Sequence, residues 1–123
     1  MAEPPRPSAK SARGHRNFQA GLAAEAAVTR HYQARGYTLL DTRWRGKAGE
    51  IDLIFSVGPV TVFVEVKASV DFARAVSHIG PRQLARISAA AEEYMDGALG
   101  DMRVDAALVD ETGRIEIFEN ITM

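Results

Sequence analysis

Between Gly49 and Lys67 the chain reads GEIDLIFSVGPVTVFVEVK, two β-prone apolar runs around Gly58-Pro59 with charged residues set inside them. Ionised groups within otherwise apolar strands are costly unless something compensates them. Side chains alternate along a strand, so Glu50, Asp52 and Ile54 share one face of the first run, and Phe63, Glu65 and Lys67 share one face of the second. The opposite faces, Ile51-Leu53-Phe55 and Val62-Val64-Val66, are wholly apolar. A hairpin turning at Gly58-Pro59 sets Asp52 opposite Glu65 and Glu50 opposite Lys67, with opposed Cβ atoms about 4.5 to 5.5 Å apart. Glu50 and Lys67 can neutralise each other, whereas Asp52 and Glu65 repel and call for a cation or a proton. Hard oxygen donors at that separation suit Mg²⁺ or Mn²⁺, which take one or two carboxylates and leave other positions to water and substrate phosphate. The same pattern also fits a solvated sheet edge with Asp52 and Glu65 inside an ion-pair network.

The rest of the chain supplies elements around this hairpin. Phe18 to Arg35 has apolar and small residues at helical spacing (Phe18, Leu22, Ala26, with Val28 and Tyr32 adjoining), ended by Gly36. Tyr37 to Trp44 is β-prone and leads through Arg45-Gly46-Lys47-Ala48-Gly49 into the hairpin. After a loop near residues 68–80, Pro81 opens a second helix with the stripe Leu84, Ile87, Ala91 and Tyr94 or Met95, ended by Gly97. Arg103 to Val109 and Arg114 to Phe118 read as two more strands around Asp110-Glu111-Thr112-Gly113. The expected order is α-β-β-β-α-β-β, an α/β domain over residues 18–123. Residues 1–17, with three prolines, four Lys or Arg and one acid, read as a flexible basic N-terminal arm, either a polyanion contact or a plain terminus.

A length of 123 residues suits one core. The absence of cysteine excludes disulfides, zinc ribbons and a thiol nucleophile, and permits a reducing cytoplasm. No apolar run approaches the roughly 18 to 20 residues of a membrane span, and the N-terminus lacks a secretory core, so a soluble cytoplasmic protein with no membrane partner is expected. The net charge of -1 hides a split: residues 1–48 carry nine Lys or Arg against three acids, residues 49–123 six against thirteen. A basic surface for phosphates beside an acidic metal-holding region is one origin of such a split, and complementary faces of one fold are another.

Several residues gain meaning beside the hairpin. Glu25 falls within or beside the first helix's stripe, where a carboxylate meets the sheet or looks out to water. Arg43, Arg45 and Lys47 bracket Trp44 just before Glu50, a basic cluster able to grip phosphate, with one aromatic that stacks on a base or fills the core. Arg82 and Arg86 lie one turn apart on the second helix, as phosphate contacts or as a solvated face. His15, His31 and His78 show no metal-ligand spacing.

Asp52, twelve intervening residues, then Glu65-Val66-Lys67 resembles the core of the PD-(D/E)xK nuclease superfamily. Gly21 and Glu25, Gly36-Tyr37, Arg43-Trp44-Arg45, GEIDLI and VFVEVK are more closely similar to the YraN family, also called UPF0102, from about Gly21 through the second helix and more weakly to the last strands. The resemblance implies a restriction-endonuclease-like fold, a central mixed five-stranded sheet flanked by helices, related to Holliday-junction resolvases. It also implies Asp52 and Glu65 as metal ligands, Lys67 as the superfamily lysine, Glu25 as the first-helix acid, and Gln83 where some relatives carry an auxiliary Lys or Gln. Where relatives often place a small polar residue and then Arg after Glu-Val-Lys, this chain has Ala68-Ser69, which removes a phosphate contact.

These residue types fit hydrolysis of a phosphodiester, which needs an activated in-line water and neutralisation of an anionic transition state. The expected ligands of Mg²⁺ or Mn²⁺ are Asp52, Glu65 and the Val66 carbonyl, with Glu25 or Glu50 completing the set, and Lys67 orienting water or meeting developing charge. The leading expectation is a metal-dependent endonuclease acting on branched or structured DNA. A nucleic-acid-binding module of the same fold without turnover is the alternative, and an adaptor whose acids form an ion-pair network is a third. A homodimer is expected only by analogy with resolvases, which make two symmetric cuts.

Overall fold

The computed structural model describes residues 9–68, 79–98 and 100–121, with side chains in the first helix from Gly21 onward. The elements are α1 (Ala9–Gln33), β1 (Thr38–Arg45), β2 (Glu50–Val57), β3 (Val60–Ala68), α2 (Pro81–Met95), β4 (Asp101–Val109) and β5 (Ile115–Phe118). The five strands form one mixed sheet in the order β1-β2-β3-β4-β5, antiparallel except for the parallel pair β3 and β4. Helix α2 makes the crossover that a parallel pair requires. The order matches the one expected from the sequence.

Each face of the sheet carries a core under one helix. Ala24, Val28 and Tyr32 of α1 pack on Leu53, Phe55, Val62, Val64, Ala107 and Val109. Ile87, Ala90 and Ala91 of α2 pack on Ile54, Phe63 and Val104. The α1 stripe differs from the expected one: Leu22 is 39% exposed and Ala26 is also exposed, while Ala24, Val28 and Tyr32 are buried. Alanines on several sides of this helix leave the choice of face to its large residues, and the stacking of Tyr32 on Phe55 at 4.6 Å sets it. Helix α1 begins at Ala9 and so takes in residues 9–17 of the expected basic arm; no proline follows Pro7 there, and Ala, Lys and Arg favour the state. Residues 1–8, Ser69 and His78 lie outside the described residues.

The hairpin register is the expected one from Val57↔Val60 to Leu53↔Val64, where the regular ladder stops. One expectation fails beyond it. Ile51 joins Trp44 in the α2-side core, whereas Leu53 and Phe55 pack on the α1 side, so the apolar face Ile51-Leu53-Phe55 is divided. In β1, Thr42 pairs with Leu53 and Trp44 with Ile51, which sets Arg43 across from Asp52. Arg43 has φ 49, a left-handed conformation that rotates the strand between these two pairs.

Strand β4 brings a buried charge that sequence patterning missed. Asp105 is fully buried and accepts bonds from Tyr32 Oη at 2.8 Å, Arg103 Nε and Nη2 at 2.8 Å each, and the Asn120 N–H at 3.0 Å. Arg103 Nη2 also donates to Tyr37 Oη at 2.9 Å. The network ties α1, the residue before β1, β4 and the segment after β5 together, and every bond it makes offsets desolvation. No helix among the described residues is long and apolar enough to cross a membrane.

Candidate active site

Three elements bring the site together: the first residues of β2, the last residues of β3, and the N-terminal half of α2. Phe63 fixes the orientation of β3 by packing under α2, so Glu65 and Lys67, two and four residues on, continue along the same face. Pro81 starts α2 at its first turn, which carries Gln83 over that face. Gly49, Asp52, Glu65, Lys67, Gln83 and Arg86 line a cleft of about 350 Å³, together with Glu50 and Ile87.

Inside the cleft, Glu65 is 8% exposed and its Oε1 accepts from Gln83 Nε2 at 2.7 Å and pairs with Lys67 Nζ at 3.2 Å. Both partners use the same oxygen, so Oε2 carries neither bond. Asp52 Oδ2 accepts the Val66 N–H at 2.8 Å. Burial first, then the neighbouring Glu65 charge, pushes the Asp52 carboxyl up to about 7; Glu25 adds to the rise and the Val66 bond opposes it. Asp52 therefore keeps its proton up to near neutrality, and a cation beside it would favour its ionised form.

The expected Glu50–Lys67 pairing does not form. Glu50 Oε2 pairs with Arg45 Nη2 at 3.1 Å, and Lys67 turns to Glu65 on its own strand, because residues two apart on a strand lie on one face. Glu25 reaches over from α1 to Arg43 Nε at 3.2 Å. Gly21, Glu25, Arg43, Arg45 and Glu50 line a second cleft of about 540 Å³, so Glu50 borders both clefts. Among the described residues, no three His, Cys, Asp or Glu side chains converge closely enough to hold a metal ion by themselves. Asp52 and Glu65 are the pair that does converge.

Trp44 packs edge-on against Tyr94 at 5.3 Å in the α2-side core, so its ring serves packing. Arg86 borders the first cleft beside Gly49, where a φ of 154 strains any other residue and an added Cβ would press on Arg86 Cγ at 3.0 Å. Arg82 is exposed on α2 and lines neither cleft. Sequence reading missed Glu93. Its Oε1 accepts the Lys47 N–H at 2.8 Å and its Oε2 the Ala48 N–H at 3.1 Å, which hold the Glu93 carboxyl below its ordinary value. The basic turn between β1 and β2 is thus pinned to α2. A charged residue two positions after the buried Ala91 was the available signal, but periodicity assigns it only to the helix surface.

A family model described as "Uncharacterised protein family UPF0102" matches residues 24–109, which span β1 to β4 and the whole of the first cleft. The chain is 56% identical over 116 residues to a UPF0102 protein of Ruegeria pomeroyi, covering 91% of this chain and 94% of the relative. It is 45% identical over 124 residues to a UPF0102 protein of Roseobacter denitrificans, covering 98% of this chain and 96% of that one. A UPF0102 protein of Dinoroseobacter shibae is 45% identical over 119 residues, 94% of this chain and 89% of the relative.

Proposed function

The chain belongs to the UPF0102 family, and from that membership together with the geometry of its cleft we propose that it is a metal-dependent nuclease, hydrolysing phosphodiester bonds of structured or branched DNA in the cytoplasm. The observation that carries the reading is the Asp52–Glu65 pair, with Asp52 raised to about 7 by burial and by its neighbour, beside Lys67 and Gln83 in one cleft. Two converging carboxylates, Asp52 and Glu65, are the donor set that Mg²⁺ or Mn²⁺ accepts from a protein, and the Val66 carbonyl is the main-chain donor of the same segment. When bound, the cation supplies the Lewis acidity that lowers the pKa of water and neutralises the phosphate.

The chain's own groups do the rest. Asp52 and Glu65 hold the charge that selects a cation, and Gln83 orients the Glu65 carboxylate through Oε1. The Lys67 ammonium, 3.2 Å from Glu65, lies within reach of an incoming phosphate oxygen and of the water that attacks it. Arg86 borders the cleft and grips the phosphate through its fork of donors, and Arg43, Arg45 and Lys47 extend the basic surface along the backbone.

Calorimetric titration of Mn²⁺ and Mg²⁺ into wild type, Asp52→Ala and Glu65→Ala tests the reading, with labelled four-way junction, flap and linear DNA assayed for cleavage in the same buffers. Metal binding and cleavage that both require Asp52 and Glu65 are expected. Cleavage unchanged in the variants, with contaminating nuclease excluded, overturns it. The engagement of Glu25 and Glu50 by arginines, which leaves two carboxylates converging, favours a second reading, a DNA-binding module without turnover; salt-sensitive binding with no cleavage in either metal would select it.

A further inference from the structure

Glu25 on α1 and Glu50 on β2 belong to different elements, yet each is held by an arginine of β1, Glu25 by Arg43 at 3.2 Å and Glu50 by Arg45 at 3.1 Å. The four side chains line one cleft, and Glu50 also lines the adjoining cleft of Asp52 and Glu65. Two acid–arginine pairs therefore stand beside a carboxylate pair to which neither acid has been added.

We propose that Arg43 and Arg45 form a latch operated by substrate: in the free protein they hold Glu25 and Glu50, and phosphates of a nucleic-acid backbone take the arginines and release both glutamates toward a divalent cation at Asp52 and Glu65. The inference rests on the metal-dependent reading above and adds to it the order in which the site assembles.

Three considerations carry it. The Arg45–Glu50 pair is cheap to exchange, its side chains being 78% and 37% exposed, so water and salt already compete for it; the Arg43–Glu25 pair is more covered, at 36% and 18%, with the guanidinium the more accessible partner. A phosphodiester offers the same two-oxygen geometry to a guanidinium as a carboxylate does, with a chain of further charges behind it. Glu50 already borders the cleft of Asp52 and Glu65, and Glu25 lines the adjoining cleft with it, so a cation at Asp52 gains from both once their arginines are removed. Linkage then makes the coupling reciprocal: phosphate on the arginines tightens the cation, and the cation tightens phosphate. The cleft would bind its metal weakly until DNA arrives, which restrains cleavage without a bound backbone.

The test measures Mn²⁺ affinity by calorimetry with no nucleic acid present, in wild type, Arg43→Ala/Arg45→Ala, Glu25→Gln/Glu50→Gln and the quadruple variant, each checked for folding by circular dichroism. Opening the latch by removing both arginines should tighten Mn²⁺ by roughly tenfold, a typical coupling between linked sites. That gain should vanish when the glutamates are already glutamine. A gain that persists in the glutamine background overturns the latch, since it would report only the loss of two positive charges, and so does an unchanged affinity. Should the quadruple variant not fold, Arg43→Ala with Glu25→Gln and Arg45→Ala with Glu50→Gln carry the same comparison pair by pair. Wild-type affinity retained in Asp52→Ala would instead overturn the metal reading itself, and the latch with it.

Discussion

Asp52 and Val66 are joined one step past the last regular pair of the β2–β3 ladder, the Val66 N–H donating to Asp52 Oδ2 at 2.8 Å. A carboxylate thus takes up a backbone donor at the point where two strands separate, and the opening is where Glu65 and Lys67 meet the cleft. The bond holds an acid in a place that favours its neutral form. Its ordinary value of 3.8 is raised to about 7, so between those values the native state keeps a proton that the unfolded chain releases. The stabilisation is complete below about pH 3.8 and is lost as pH rises through about 7.

Asp52→Asn keeps an acceptor for Val66 and removes the charge. Without divalent cations it should be more stable than wild type at pH 8 by about 2 to 4 kcal/mol, the gap closing toward pH 4. Urea unfolding of both proteins at several pH values measures this. A gap that does not change with pH contradicts the raised carboxyl.

Gln83→Ala removes the 2.7 Å bond that aims Glu65 while leaving both carboxylates and Lys67 in place. Mn²⁺ affinity should fall by about 10- to 100-fold, as for other partners that orient metal ligands. Thermal stability in EDTA should change little. Calorimetry beside a melting curve separates the two effects, and an unaltered affinity would show that Glu65 needs no help.

Lys67→Met keeps the aliphatic stem and removes the ammonium beside Glu65. Because Lys67 donates and holds no metal, cation binding should survive or tighten. Cleavage should drop by at least about 100-fold, the scale on which loss of one positioned donor to a developing charge is felt. Equal losses in metal affinity and cleavage would assign Lys67 to shaping the cleft instead.

Asp105→Ala leaves the half-buried Arg103 without its main partner, and should cost up to about 3 kcal/mol. Tyr32→Phe removes one bond of the same network and should cost about 1 to 2 kcal/mol. Denaturant unfolding checks both. Tyr32→Phe should leave Mn²⁺ binding at Asp52 and Glu65 untouched, because the network lies on the other face of the sheet from the cleft.

The strand periodicity, Gly58-Pro59 and Pro81 were enough to predict the element order, the hairpin register and the meeting of Asp52, Glu65 and Lys67, because alternation and turn position are local properties that one strand pair converts directly into neighbours. Which acid keeps which base was decided by tertiary structure. Arg45 takes Glu50 and Arg43 takes Glu25 because β1 folds back along β2 and α1 crosses beside it, contacts between segments whose charges are equally free to pair elsewhere in an unfolded chain. The rotation at Arg43 that divides Ile51 from Leu53, the Glu93 carboxylate on the Lys47 and Ala48 amides, and the burial of Asp105 have the same origin. The Glu93 and Asp105 contacts depend on a side chain meeting a partner distant in sequence, and no period along the chain encodes that distance.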